Sequence, residues 1–242
     1  MRGIDVSKHN GVVNMEQVKE AGFEFVIIRA GYGKDPEKQK DPYFEINYKN
    51  AKRVGLHVGA YWYSYAETQA AAREEAKACL KVIEGKSFDM PIYYDVEEKR
   101  VITQDSSLIE AIINEFCTYL ERHYKFVGLY MSKAYLESKV PMRTLTKYAI
   151  WVAQWGPKLT YNLTRPGIWQ FSNNGSVPGI QGRVDLDEAL IDYPKIIKSA
   201  KLNGYDDFFN LSEMEQAIQN EEALKILYEC RDKLYALRER YM

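Results

Sequence analysis

Nearly continuous apolar runs alternate with amphipathic stretches along this chain. Residues 23–30 (FEFVIIRA) have the pattern of a strand covered on both faces, as in a parallel sheet. Residues 57–65 (HVGAYWYSY), 92–96 and 126–131 repeat it, and residues 3–7 make a shorter opening strand. Helical patterns lie between them. Residues 14–21 end at Gly22, and residues 41–54 open on Asp41-Pro42 and stop at Gly55. Residues 68–84 stop at Gly85, and residues 106–123 are capped by Ser106 or Ser107. After a short helical piece the pattern changes. Strands at 148–154, 167–171 and 184–186 are separated by Gly, Pro and Asn without full helices. Five β/α units and three further strands predict an α/β protein with an incomplete TIM-like (β/α)5β3 barrel over residues 1–200. In such barrels functional groups gather at the C-terminal ends of the strands.

The remainder has a different character. Residues 201–210 read as a linker and 211–242 as a small helical hairpin opened by the capping box Ser212-Glu213-Met214-Glu215. Ala223, Leu227, Cys230, Leu234, Leu237 and Tyr241 form a stripe spaced by fours and threes, under three heptads long. Docking on its own barrel and a homodimer through these helices both remain open.

Composition narrows the function. A net charge of −1 gives no electrostatic footprint for nucleic acid. No run approaches the ~18 apolar residues of a membrane span, so no stable membrane insertion is expected. Cys79, Cys117, Cys230 and His9, His57, His123 are scattered without ligand spacing, so neither a metal nor a cofactor is expected. Nineteen Tyr and four Trp suit a groove that stacks sugar rings, although many must be core.

The chemistry centres on Asp95-Val96-Glu97, at the end of the apolar run 90–94. Alternation along a strand puts both acids on one face, about 6.5–7 Å apart along the backbone. Like charges oppose double ionisation, and glycoside cleavage uses such a protonated and ionised pair. That spacing lies between the double- and single-displacement separations and selects neither. Other polar residues at strand ends are Asp5, Arg29, Tyr63, Tyr130, Trp151, Gln154, Gln170 and Asp185. Four acids among aromatics and amides fit a carbohydrate-cleaving rim better than a phosphate site, and neither GxGxxG nor Walker A occurs. Singly, Asp5 also reads as a turn residue, Asp185 as a strand-end cap beside Asp187 and Glu188, and Tyr63, Tyr130 and Trp151 as barrel core.

Several segments carry a resemblance in order along residues 3–192. They are Gly3-Ile4-Asp5-Val6-Ser7, Asn10-Gly11, Phe25-Val26-Ile27-Ile28-Arg29-Ala30, Gly59-Ala60-Tyr61 and Tyr94-Asp95-Val96-Glu97. Gly128-Leu129-Tyr130, Ile150-Trp151-Val152-Ala153-Gln154, Ile168-Trp169-Gln170-Phe171 and Gly182-Arg183-Val184-Asp185-Leu186 complete them. With these the chain resembles the glycoside hydrolase family 25 lysozymes, the N-acetylmuramidases of bacterial peptidoglycan. The resemblance implies that family's incomplete barrel and an active site on Asp5, Asp95, Glu97 and Asp185. Glu97 matches the general acid. Asp95 matches its ionised partner, either a nucleophile or, as the resemblance favours, the group that orients the substrate's 2-acetamido arm. Tyr63, Tyr130, Trp151, Gln154, Gln170 and Arg29 are then expected to bind substrate. The chain departs from common members at Trp62, where His is frequent, and at Asp187, where Asn is usual. A glycan-binding barrel without catalysis and a glycosidase on another amino-sugar polymer such as chitin are the competing readings. No leader-like segment precedes the first strand, so cytoplasmic synthesis and delivery to the wall by another route are expected, as for a phage endolysin or an autolysin.

Overall fold

A computed structural model describes residues 1–205. The tail expected as a helical hairpin and dimer seam lies outside the described residues. The elements run β1 (Arg2–Val6), α1 (Met15–Glu20), β2 (Phe25–Tyr32), α2 (Pro36–Gln39), α3 (Phe44–Arg53), β3 (His57–Tyr63) and α4 (Gln69–Ile83). Next come β4 (Ile92–Asp95), α5 (Lys99–Ile102), α6 (Ser106–Glu121), β5 (Val127–Ser132), α7 (Lys133–Lys139) and α8 (Met142–Leu145). The last are β6 (Ala149–Ala153), β7 (Ile168–Gly175), β8 (Val184–Ala189) and α9 (Tyr193–Ser199). The eight strands close into one barrel in chain order. Strands β1 to β7 are parallel to their neighbours, whereas β8 is antiparallel to both β7 and β1.

Alternation explains why these strands read as unbroken apolar runs. Val26, Ile28, Val58, Ala60, Trp62, Ile92, Tyr94, Leu129, Ile150 and Val152 face outward and pack with the helices. Phe25, Ile27, Tyr61, Tyr93, Tyr130, Trp151 and Ile168 point inward and fill the barrel. Glycines make room for the inward rings. A Cβ on Gly128 would lie 2.3 Å from the Tyr93 ring and 2.6 Å from the Ala149 carbonyl oxygen.

Local signals set several helix starts. Asn14 caps α1 by accepting from the Gln17 amide, and Thr68 caps α4 by accepting from the Ala71 amide. Asp41 does not cap the helix that its Asp-Pro suggested. Its carboxylate accepts from the Lys8 and Tyr43 amides and from Arg29 Nε, so α3 begins at Phe44. Tertiary partners outcompete the local cap here. The chain also stays fixed to the barrel past residue 200, where a linker was expected. Asn203 is fully buried, donating to the Met90 carbonyl and accepting from the Phe126 amide, and the Tyr205 hydroxyl donates to Asp89.

On the helix side, Glu75 of α4 anchors the loop after β3. It accepts from the Tyr94 hydroxyl at 2.6 Å and the Tyr65 amide at 2.7 Å. The Tyr94 ring stacks on Phe116 of α6, with centroids 3.8 Å apart. The strand ends that carry the acids are thereby tied to the helix layer. The fit around Gly128 gives a direct test of the packing. Gly128→Ala should cost about 1–3 kcal/mol through overpacking, and a thermal melt should show a Tm several degrees lower.

Candidate active site

The reversed direction of β8 assembles the acids. Its first residues meet the C-terminal ends of the parallel strands, and Asp185 pairs in register with Asp5 of β1. Strand β4 ends at Asp95, so regular pairing no longer holds Glu97. One more backbone bond, from the Val96 amide to the Tyr130 carbonyl, keeps the chain extended. Val96 is fully buried in the helix-side core, which turns both flanking acids to the rim. Asp5 and Asp95 are nearly buried, Asp185 is half-buried and Glu97 is exposed.

Surroundings push all four pKa values upward. For Asp95 the leading cause is burial, followed by the charge of Glu97, with Arg29 opposing. One Asp95 oxygen, Oδ1, is buried without a hydrogen-bond partner. Glu97 is raised by partial desolvation among its neighbours, then by Asp185 and Glu98. Asp5 is raised well above the carboxylate range by burial, Asp187 and Asp185, while a hydrogen bond from Gln170 opposes. Asp185 is raised by burial, with a hydrogen bond from Asp5 opposing.

Around the acids, Gln170 Nε2 donates to Asp5 at 2.8 Å, and its Oε1 accepts from the Tyr130 hydroxyl and from Trp155 Nε1, each at 3.0 Å. Arg29 is buried and donates through Nε to Asp41 at 2.8 Å, leaving Nη2 unpartnered. Tyr63 stands beside the rim in register with Asp95, and its hydroxyl donates to Glu98 at 3.3 Å. From Tyr63 an aromatic strip continues to Tyr65 at 5.1 Å and Tyr32 at 5.9 Å between centroids. It leads into an open cavity of about 700 Å³ lined by Tyr32, Lys34, Tyr65 and Arg100.

Two expected substrate contacts stand elsewhere. Gln154 is committed to its own loop, accepting from the Thr160 and Tyr161 amides and donating to the Lys158 carbonyl. Trp151 is 1% exposed, so it presents no face to a sugar. Its ring packs against Tyr61, Tyr93 and Tyr130 below the acids, and its Nε1 donates to Asp187 at 2.8 Å. Two residues of the site escaped the sequence reading. Trp155, 59% exposed at the rim, is an open indole, and its place just beyond strand β6 was the available signal. Asp187 is a fully buried acid beneath Asp185, on the same face of β8 by the i, i+2 rule. Among the described residues no group of three His, Cys, Asp or Glu is arranged to hold a metal ion.

Comparison with known proteins bears on this rim. The model of "Glycosyl hydrolases family 25" matches residues 4–180. An autolytic lysozyme of Clostridium acetobutylicum is 30% identical over 194 residues, covering 78% of this chain and 55% of the relative. Lysozyme M1 of Streptomyces globisporus is 28% identical over 203 residues, covering 78% of this chain and 67% of that protein. The chain thus spans about half the length of the first relative and about two thirds of the second. The crystal structure of the CTP1L endolysin superposes with a TM-score of 0.72 at 26% identity, covering 82% of this chain and 69% of that one. With most of the barrel and all but the last of the rim acids inside the matched segment, the chain belongs to glycosyl hydrolase family 25.

Proposed function

We propose that this protein is a peptidoglycan hydrolase that cuts the β-1,4 bond between N-acetylmuramic acid and N-acetylglucosamine. The observation that carries the reading is the contrast between two acids on one rim, a buried Asp95 with an unpartnered oxygen and an exposed Glu97 crowded by like charges. We also read the barrel as a (β/α)5β3 variant, because β6, β7 and β8 follow one another without intervening helices.

In this mechanism Glu97 is the general acid. Its raised pKa favours the protonated form, and its exposure lets it reach the glycosidic oxygen. Asp95 is the ionised partner. Burial pushes empty-site Asp95 up more strongly than Glu97, so the working order of the two depends on substrate. The substrate's acetamido N–H donates to Asp95 Oδ1 and stabilises its charged form, while the bound sugar shields Glu97 from water. The acetamido carbonyl oxygen then attacks the anomeric carbon as the bond to the leaving oxygen breaks. Glu97 protonates that oxygen, then takes a proton from the water that opens the cyclic intermediate at the same carbon. Arg29 holds Asp95 by charge. Tyr63, Tyr130 and Gln170 line the reacting sugar, Trp155 offers the open face for stacking, and the strip from Tyr63 to Tyr32 carries the glycan beyond the cut.

Two measurements test this assignment. Purified peptidoglycan incubated with Glu97→Gln should release new reducing ends roughly 10²–10⁴-fold more slowly than with the wild type. Equal release would overturn the role of Glu97, and binding without cleavage by the wild type would make the barrel a lectin. Removing the like charge at Asp185 makes Glu97 easier to ionise. Asp185→Asn should therefore shift the alkaline limb of the pH–rate profile to lower pH, by about one unit, and an unmoved limb would contradict the coupling.

A further inference from the structure

Two buried groups of opposite charge stand unpaired at the rim. Arg29 Nη2 and Asp95 Oδ1 are both buried without a hydrogen-bond partner among the described residues. By alternation both side chains face the barrel interior, Arg29 following Phe25 and Ile27 on β2 and Asp95 following Tyr93 on β4. Only β3 runs between them, so the two backbones lie roughly 10 Å apart across the sheet. Arg29 acts on Asp95 by charge, without a hydrogen bond. An unpaired buried ion of each sign is costly, and something must keep the two apart.

Asp41 supplies that constraint. It is 2% exposed, and its two oxygens accept three N–H groups. Oδ2 takes the Lys8 amide and Arg29 Nε, each at 2.8 Å, and Oδ1 takes the Tyr43 amide at 3.0 Å. Its own amide donates to the Ala30 carbonyl at 3.0 Å, which mounts the residue on β2. Backbone donors thus fix the carboxylate, and a charge-assisted bond fixes the guanidinium to it.

We propose that Asp41 is a positioning residue that holds the Arg29 guanidinium off Asp95 and so leaves Asp95 Oδ1 for the substrate N–H.

The surroundings leave this choice to Asp41. Asp95 faces Glu97 beyond β4, Tyr61 and Tyr63 on β3 and Tyr130 on β5, and Arg29 is the cation among these neighbours. Arg29 faces Asp41, Asp95 and Tyr61, and its Cζ lies 6.0 Å from the Tyr32 ring centroid. It therefore has two carboxylates in its field and bonds one of them. A guanidinium bonded to Asp95 would occupy the oxygen that the sugar needs, whereas at a distance it only favours the charged form.

The test removes the restraint in the full chain. Asp41→Ser keeps a hydroxyl for the local turn to the Tyr43 amide but loses the charge that holds Arg29. Asp41→Asn is the second variant, with the same expected signs. The folding arm needs no activity. Above its unfolded pKa, a carboxyl raised by burial lowers stability, so Asp95→Asn should raise the Tm of the otherwise wild-type chain at neutral pH. In the Asp41→Ser background Arg29 pairs with Asp95, and the same change should lower the Tm. An equal Tm change in both backgrounds would overturn the restraint. The kinetic arm rests on the muramidase reading. On peptidoglycan, Asp41→Ser should lower kcat/KM roughly tenfold or more and move the acidic limb of its pH profile, set by Asp95, down by about one unit. Adding Arg29→Gln should carry that limb above its wild-type position. Lost activity with an unmoved limb would make Asp41 merely structural and overturn the proposal. If the wild type cleaves no peptidoglycan, the muramidase reading fails while the Tm arm still decides the restraint.

Discussion

Trp151 at the centre of the barrel is the interaction on which the rest depends. Its ring meets Tyr61, Tyr93 and Tyr130, and these rings close the interior beneath the acids. A water-filled interior would solvate Asp5, Asp95 and Asp187 from below and return them to ordinary carboxylates. With aromatic rings there instead, burial is the leading cause of the upward shift at all three. The same indole reaches Asp187 through its N–H, so packing and electrostatics meet in one side chain.

Strand direction is the second constraint. A parallel β8 would deliver its C-terminal residues to the rim and carry Asp185 away from it. Antiparallel pairing with both β7 and β1 sets Asp185 opposite Asp5 and stacks Asp187 below. The short connection from β7 to β8 allows this reversal, because an antiparallel pair needs no crossover helix. The cost is a crowded set of acids on one wall, and Gln170 and Trp151 offset part of it through donated hydrogen bonds.

Much of this was legible in the sequence, because the strands bury both faces and must be apolar throughout. The runs at 23–30 and 57–65 became β2 and β3, and Asp95, Glu97, Asp5 and Asp185 do gather at one rim. What escaped was decided by tertiary contact. Asp41 looks like a helix cap until Arg29 and the Lys8 amide claim it. Asp187 looks like solvated charge in Asp185-Leu186-Asp187-Glu188, and only barrel closure buries it. Gln154 sits at a strand end like the site residues, but the 158–161 loop takes up its amide. Trp151 and Trp155 differ by four positions, and the end of β6 at Ala153 separates a core indole from an open one. Helices α2 and α5 are single turns, too short for periodicity to reveal.

The central claim concerns which bond is cut. Purified peptidoglycan would be digested to completion, the new reducing ends converted to sugar alcohols with borohydride, and the products hydrolysed and identified by mass spectrometry. The account predicts muramicitol as the alcohol that accumulates with time. Accumulation of glucosaminitol instead, or of neither alcohol, would contradict it.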